Sequence, residues 1–224
     1  MKRVPIAAVT KNFSILAKYI LLLLFSVSCG GERFDHVRNL TSPNEVIVCL
    51  GDSLTEGVGA DSGQDYPSVL SSELAFPVVN HGRRGDTTAQ ALTRLPEILE
   101  ANPRLVVVFL GGNDFLRQVP RSETKKNLAE LVRRLQAHGA MVVIAGMRLG
   151  IFTDEFSPIY EATATQLGAY YIPQVMQGIL NEPRLKSDQI HPNAAGYRLL
   201  GQRIAEKLKP LLREADRLTG RHGF

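Results

Sequence analysis

The sequence predicts an α/β domain built on a parallel sheet that helices cover on both faces, and three observations carry that prediction. The apolar runs 46–50, 105–110 and 141–145 are continuous rather than alternating, as strands buried on both faces are. The segments between them carry apolar residues at helical spacing, so strand and helix alternate along the chain. Gly- and Asn-containing strings follow the first three strands, at the edge where right-handed crossovers collect strand C-termini and where such folds bind ligands.

Taken in order, the first strand is 46–50, followed by a loop to about Asp65 and a helix over 66–74. A short strand, 78–80, leads to a helix over 87–100 with Ala91, Leu92, Leu95, Ile98 and Leu99 on one face. The third strand, 105–110, precedes a helix over 122–138 that stops at Gly139. A fourth strand at 141–145, a helix over 154–167 and a fifth strand at 169–172 follow. The closing helix spans 193–212, with Asn193 as its N-cap.

The flanks read differently. Residues 1–28 contain Lys2, Arg3, Lys11 and Lys18, no acid, and the apolar run 19–25 before the small residues Ser26 and Ser28. That run is too short for a permanent span but suits a signal-peptide core, with cleavage expected before Cys29. The string 25–31 resembles a bacterial lipoprotein box, departing from it at Ser26, where leucine is usual; Cys29 is therefore the expected lipidation site, and its lipid the expected N-terminal membrane anchor. Residues 29–44 are expected as a flexible tether, 45–213 as the folded domain and 214–224 as a tail. Removing the four leader charges leaves 22 basic against 22 acidic residues, so the pI near 9.2 gives no electrostatic basis for nucleic-acid binding. Cys49 lies inside the first strand and reads as a small core residue, and no string has metal-ligand spacing, so neither metal nor cofactor is expected.

Four strings carry chemistry: Gly51-Asp52-Ser53-Leu54, the loop from Asn80 to Gly85, Gly111-Gly112-Asn113-Asp114, and Asp188-Gln189-Ile190-His191. Ser53 breaks the first strand where a hydroxyl and free backbone N–H groups lie side by side; in isolation a helix N-cap is the commoner role for such a serine, and the Asp188/His191 pair reverses that preference. Asp188 and His191 stand three residues apart, about one turn, so carboxylate and imidazole can face one side and orient a base toward a serine. His81 is the rival base, but no carboxylate precedes it at comparable spacing. Asp52 and Asp114 read as loop-ordering acids beside turn glycines, and Arg83 and Arg84 as solvated surface charges. The Gly-x-Ser-x-Gly elbow of α/β-hydrolases is absent.

From Glu45 to about Leu212 the chain resembles the SGNH hydrolases, the GDSL esterase/lipase superfamily, and within it the arylesterase and thioesterase I/lysophospholipase L1 branch. The resemblance rests on Leu50-Gly51-Asp52-Ser53-Leu54, Gly85-Asp86-Thr87, Leu110-Gly111-Gly112-Asn113-Asp114 and Gln189-Ile190-His191-Pro192-Asn193. It implies a flavodoxin-like three-layer fold with five parallel strands in the order 2-1-3-4-5, and a Ser53–His191–Asp188 triad working through an acyl-enzyme. It also implies an oxyanion hole from the Ser53 N–H, a glycine N–H and the Asn113 side chain. Gly85 fits the glycine, since Asp86-Thr87 follows it; Gly82 is the alternative. The loop after the fourth strand borders the acyl site in similar enzymes, which makes Leu149, Ile151 and Phe152 expected substrate contacts, with core packing explaining them nearly as well.

The function expected on these grounds is metal-free hydrolysis of small-molecule carboxylic esters or thioesters in an extracytoplasmic compartment of a bacterium, either periplasmic or membrane-anchored. Deacetylation of an envelope carbohydrate and a non-catalytic envelope lipoprotein are the competing readings.

Overall fold

A computed structural model describes residues 33–150 and 154–221. The leader, Cys29, Ile151 and Phe152 fall outside the described residues. Five strands form one sheet: β1 (Val46–Gly51), β2 (Val78–Gly82), β3 (Pro103–Phe109), β4 (Met141–Ala145) and β5 (Tyr170–Ile172). All pairings are parallel and the order is β2-β1-β3-β4-β5, as the family resemblance implies. The inner strand β1 pairs with β2 and β3, with Cys49 in register with Asn80 on one side and Val107 on the other.

Strand alternation divides the interior into two layers. Ile47, Cys49, Leu105, Val107, Met141 and Val143 face one layer, closed by α2 (Tyr66–Leu74) and α8 (Ala194–Thr219). Val48, Leu50, Val106, Val108, Val142 and Ile144 face the other, closed by α3 (Thr88–Thr93), α4 (Leu95–Leu99), α6 (Arg121–Ala137) and α7 (Ser157–Leu167). Two short helices, α1 (Ser53–Glu56) and α5 (Gly112–Leu116), start directly beyond β1 and β3, at the C-terminal edge of the sheet. None of the helices among the described residues is long and apolar enough to cross a membrane.

Three expectations need correction. The tether is not flexible over its second half: Phe34 and Val37 are core residues, and the Asn39 side chain donates to the carbonyls of Gln136 (2.8 Å) and Ala140 (2.9 Å). The packed domain begins at Phe34. The closing helix does not end at Leu212 but runs through Pro210 to Thr219, because Leu211, Leu212 and Ala215 continue its buried face and Asp216 pairs with Arg104 of β3 in the interior. The tail expected from 214 is therefore helical to Thr219. The helix expected over 87–100 is two helices, broken at Arg94, where Pro96 starts the second and the arginine side chain turns inward.

Candidate active site

The nucleophile candidate owes its position to Gly51. A Cβ there would lie 1.9 Å from Thr55 Oγ1 and 2.7 Å from the Phe109 carbonyl, so only glycine lets β1 turn directly into α1. Ser53 is the first residue of α1, and Tyr197 from α8 braces the turn after it by donating to the Val58 carbonyl (2.8 Å).

The candidate base, His191, reaches Ser53 from the other end of the chain. Asp188 Oδ1 accepts the backbone N–H groups of Ile190 and His191, each at 2.8 Å, which winds residues 188–191 into a turn. The second oxygen then lies 2.7 Å from His191 Nδ1. The imidazole and the two N–H donors stabilise the charged form and pull the Asp188 carboxyl down to about 2. An ionised carboxylate only accepts, so the ring proton sits on Nδ1 and leaves Nε2 with its lone pair toward Ser53 Oγ, 3.0 Å away. A Lys186–Pro192 bridge and the Asn193 cap of α8 close this loop. The Asp188 side chain is 52% exposed, that of His191 only 14%.

Asn113 lines the same cavity as Ser53 and His191, and Gly85 immediately precedes its partner Asp86. Asn113 is in the first turn of α5, and its Nδ2 donates to Asp52 Oδ2 (3.2 Å) and to the Asp86 carbonyl (3.0 Å). Gly85 adopts φ +82°, in the left-handed region that a turn requires there, and its carbonyl accepts from Arg117 (2.8 Å). The N–H groups of Ser53 and Gly85 have no hydrogen-bond partner among the described residues. Gly82, the alternative glycine, is the last residue of β2, where its N–H is taken by the Asn80 side chain (2.8 Å), so the free donor belongs to Gly85.

An apolar cavity of about 190 Å³ opens beside Ser53, Asn113 and His191. Leu149 lines it, together with Phe115, Leu116, Met147, Met176 and Leu180. Phe156, part of the same loop, is buried beneath the cavity wall, its ring edge-on to Phe115 at 5.9 Å. Asp114 is fully buried and orders the loop, accepting from Thr88 N (2.9 Å), Thr88 Oγ1 (2.5 Å) and Thr124 Oγ1 (3.2 Å). Arg83 and Arg84 are exposed and paired with Glu97 and Glu56. His81 lies on β2 and does not line the cavity, with burial followed by the Arg94 charge lowering its pKa. Cys49 is buried, which pushes its thiol up to about 12.

One residue of the site escapes the sequence reading. Arg94 is buried and holds three loops at once: Nε donates to Asp86 Oδ2 (2.5 Å), and Nη2 to the carbonyls of Gly51 (3.0 Å) and His81 (2.8 Å). It stands three residues after Ala91 and four before Ile98, a charge on an apolar helical face, and that misplacement is its sequence signal.

A serine, an oriented imidazole and free backbone donors at one edge of a doubly wound sheet define a hydrolase of the SGNH type. The chain belongs to the GDSL-like Lipase/Acylhydrolase family, whose model matches residues 49–199, and it is accordingly a carboxylic ester hydrolase. It is 34% identical over 180 residues to Esterase TesA of Pseudomonas aeruginosa, covering 75% of this chain and 90% of that one. It is 30% identical over 177 residues to thioesterase 1/protease 1/lysophospholipase L1 of Escherichia coli, covering 75% and 85%. Among solved structures, a crystal structure of TesA superposes with a TM-score of 0.71 at 34% identity, covering 75% of this chain and all of that one. The esterase EstA of Pseudoalteromonas sp., inhibited by monoethylphosphonate, superposes at 0.70 with 25% identity, covering 76% and 100%.

Proposed function

We propose that the protein hydrolyses short-to-medium acyl esters or thioesters through an acyl-Ser53 intermediate. The observation that carries this is the relay Asp188 Oδ2–His191–Ser53 Oγ, with steps of 2.7 and 3.0 Å. Ser53 Oγ attacks the acyl carbon while its proton passes to His191 Nε2; the imidazolium then protonates the leaving alcohol or thiol. Water then attacks the acyl carbon as its proton passes to the same nitrogen; the bond to Oγ breaks, the imidazolium returns the proton to Ser53 Oγ, and the acid leaves. Asp188 stabilises the imidazolium in both halves. The Ser53 and Gly85 N–H groups and Asn113 Nδ2 receive the oxyanion.

The cavity supports the acyl preference. At about 190 Å³, with walls of Leu, Met and Phe, it suits a modest chain rather than a long one. A serine-directed fluorophosphonate should label wild type at Ser53 and leave Ser53→Ala unlabelled; labelling of the variant overturns the assignment. Hydrolysis of p-nitrophenyl butyrate should greatly exceed that of emulsified triolein, and comparable rates exclude the preference.

The leader supports export. Cleavage before Cys29 would leave only residues 30–33 between an acylated cysteine and the packed domain at Phe34. Each buried acyl methylene adds about 0.8 kcal/mol of membrane affinity, so more than one chain on Cys29 would hold the enzyme at a bilayer. Labelled palmitate should enter wild type and not Cys29→Ser. Recovery of uncleaved wild type from the cytoplasm contradicts export.

A further inference from the structure

The reaction above gives no part to Asp52, although this carboxylate lines the cavity with Ser53, Asn113 and His191. It is 2% exposed. Oδ1 accepts the Leu54 N–H at 3.0 Å and caps α1; Oδ2 accepts from Asn113 Nδ2 at 3.2 Å. A cap on a four-residue helix does not require a buried charge, since a serine serves it as well. Burial raises the Asp52 carboxyl to about 6, the Leu54 N–H and His191 opposing that rise and Asp86 adding to it. The charge is retained where burial disfavours it, and its second oxygen is spent on Asn113.

Asn113 supplies the reason. A primary amide has two N–H groups. One goes to Asp52 and the other to the Asp86 carbonyl at 3.0 Å, so neither is free in the resting site. Donation to an oxyanion therefore requires one bond to yield. Asp86 is fixed by the Arg94 ion pair at 2.5 Å and by its own N–H to the Arg83 carbonyl at 3.1 Å. The Asp52 contact is the longer of the two.

We propose that Asp52 is a positioning residue for ester hydrolysis: its carboxylate holds the Asn113 carboxamide beside Ser53 in the resting site and cedes that N–H to the substrate oxygen as the tetrahedral intermediate forms. The proposal rests on Asn113 being an oxyanion donor. The exchange occurs on the way to the transition state, so its loss falls on kcat and spares KM.

A double-mutant cycle tests it. Asp52→Ser keeps a cap for Leu54 but reaches no second partner; Asp52→Asn keeps the shape but cannot accept from both Leu54 and Asn113. Each should lower kcat about tenfold, 1.4 kcal/mol of coupling, within the range for groups sharing one network, with KM within twofold. In an Asn113→Ala background the same changes should alter kcat less than twofold. Cooperative thermal unfolding of each variant establishes that it is folded. An equal loss in both backgrounds assigns Asp52 to the helix cap alone and overturns the proposal, as does an unchanged or raised kcat in the single variants. If Asn113→Ala by itself leaves kcat intact, the oxyanion assignment falls and the proposal with it. If Asn113→Ala is impaired but uncoupled from Asp52, only the proposal falls.

Discussion

The site has two carboxylate regions of opposite construction. Asp188 stands half in solvent on a short irregular loop, takes three hydrogen bonds from its immediate neighbours, and is pulled down to about 2. Asp52, Asp86 and Asp114 are buried near the ends of β1, β2 and β3, and each is hydrogen-bonded to a residue more than 25 positions away. In the proposed mechanism the first region moves the proton, and its geometry is set locally by one turn. The second frames the proposed oxyanion donors, and its geometry is set by the whole sheet edge. Proton transfer tolerates solvent beside the carboxylate, whereas a developing oxyanion needs donors whose positions are fixed beforehand.

Breaking the proton-moving region should have the largest effect. Ser53→Ala and His191→Ala should each lower kcat by roughly 10⁴-fold or more, and the double variant should lose little beyond either. Ordinary turnover by folded Ser53→Ala contradicts the triad. The frame should respond in stability first. Arg94→Ala leaves Asp86 buried and unpaired, and frees the Gly51 and His81 carbonyls, at a cost of about 3–5 kcal/mol. Urea unfolding measures this; a loss under 1 kcal/mol would show that the frame does not depend on the pair. Within the frame, Asn113→Ala should reduce kcat about 10²–10³-fold with little change in KM.

The same contrast explains what could be read from the sequence. Asp188 and His191 are legible because their contact lies within one turn, and the strands are legible because burial on both faces makes them continuously apolar. Arg94 is not, since its partners lie 8, 13 and 43 residues away and its neighbours read as an ordinary helix. Asp216 is hidden for the same reason: its partner Arg104 is 112 residues distant, and Pro210 with the charges after it suggests an ending. Phe34 and Val37 pack onto the domain without any periodicity to announce it. Met176 and Leu180 reach the cavity from a loop whose sequence carries no pattern.

The smallest effect separates the two regions by pH. In the unfolded chain Asp52 titrates at its ordinary 3.8, and in the folded protein at about 6. Between these values the folded state holds a proton that the unfolded chain has lost, so this group's contribution to stability falls as pH rises through the window. Below 3.8 both states are protonated and the penalty vanishes; above 6 it is complete, and a rise of that size costs about 3 kcal/mol. Asp188 has the opposite sign, stabilising at neutral pH and losing that contribution as acid protonates it toward pH 2. Asp52→Asn removes the first dependence and leaves the second untouched. The stability of this variant relative to wild type should therefore be more favourable at pH 7.5 than at pH 4, by at most about 3 kcal/mol, while its kcat is lower at both. Denaturant unfolding at the two pH values measures the difference, in which pH-independent costs of the substitution cancel. An equal difference at both would mean that Asp52 carries no buried charge at neutral pH.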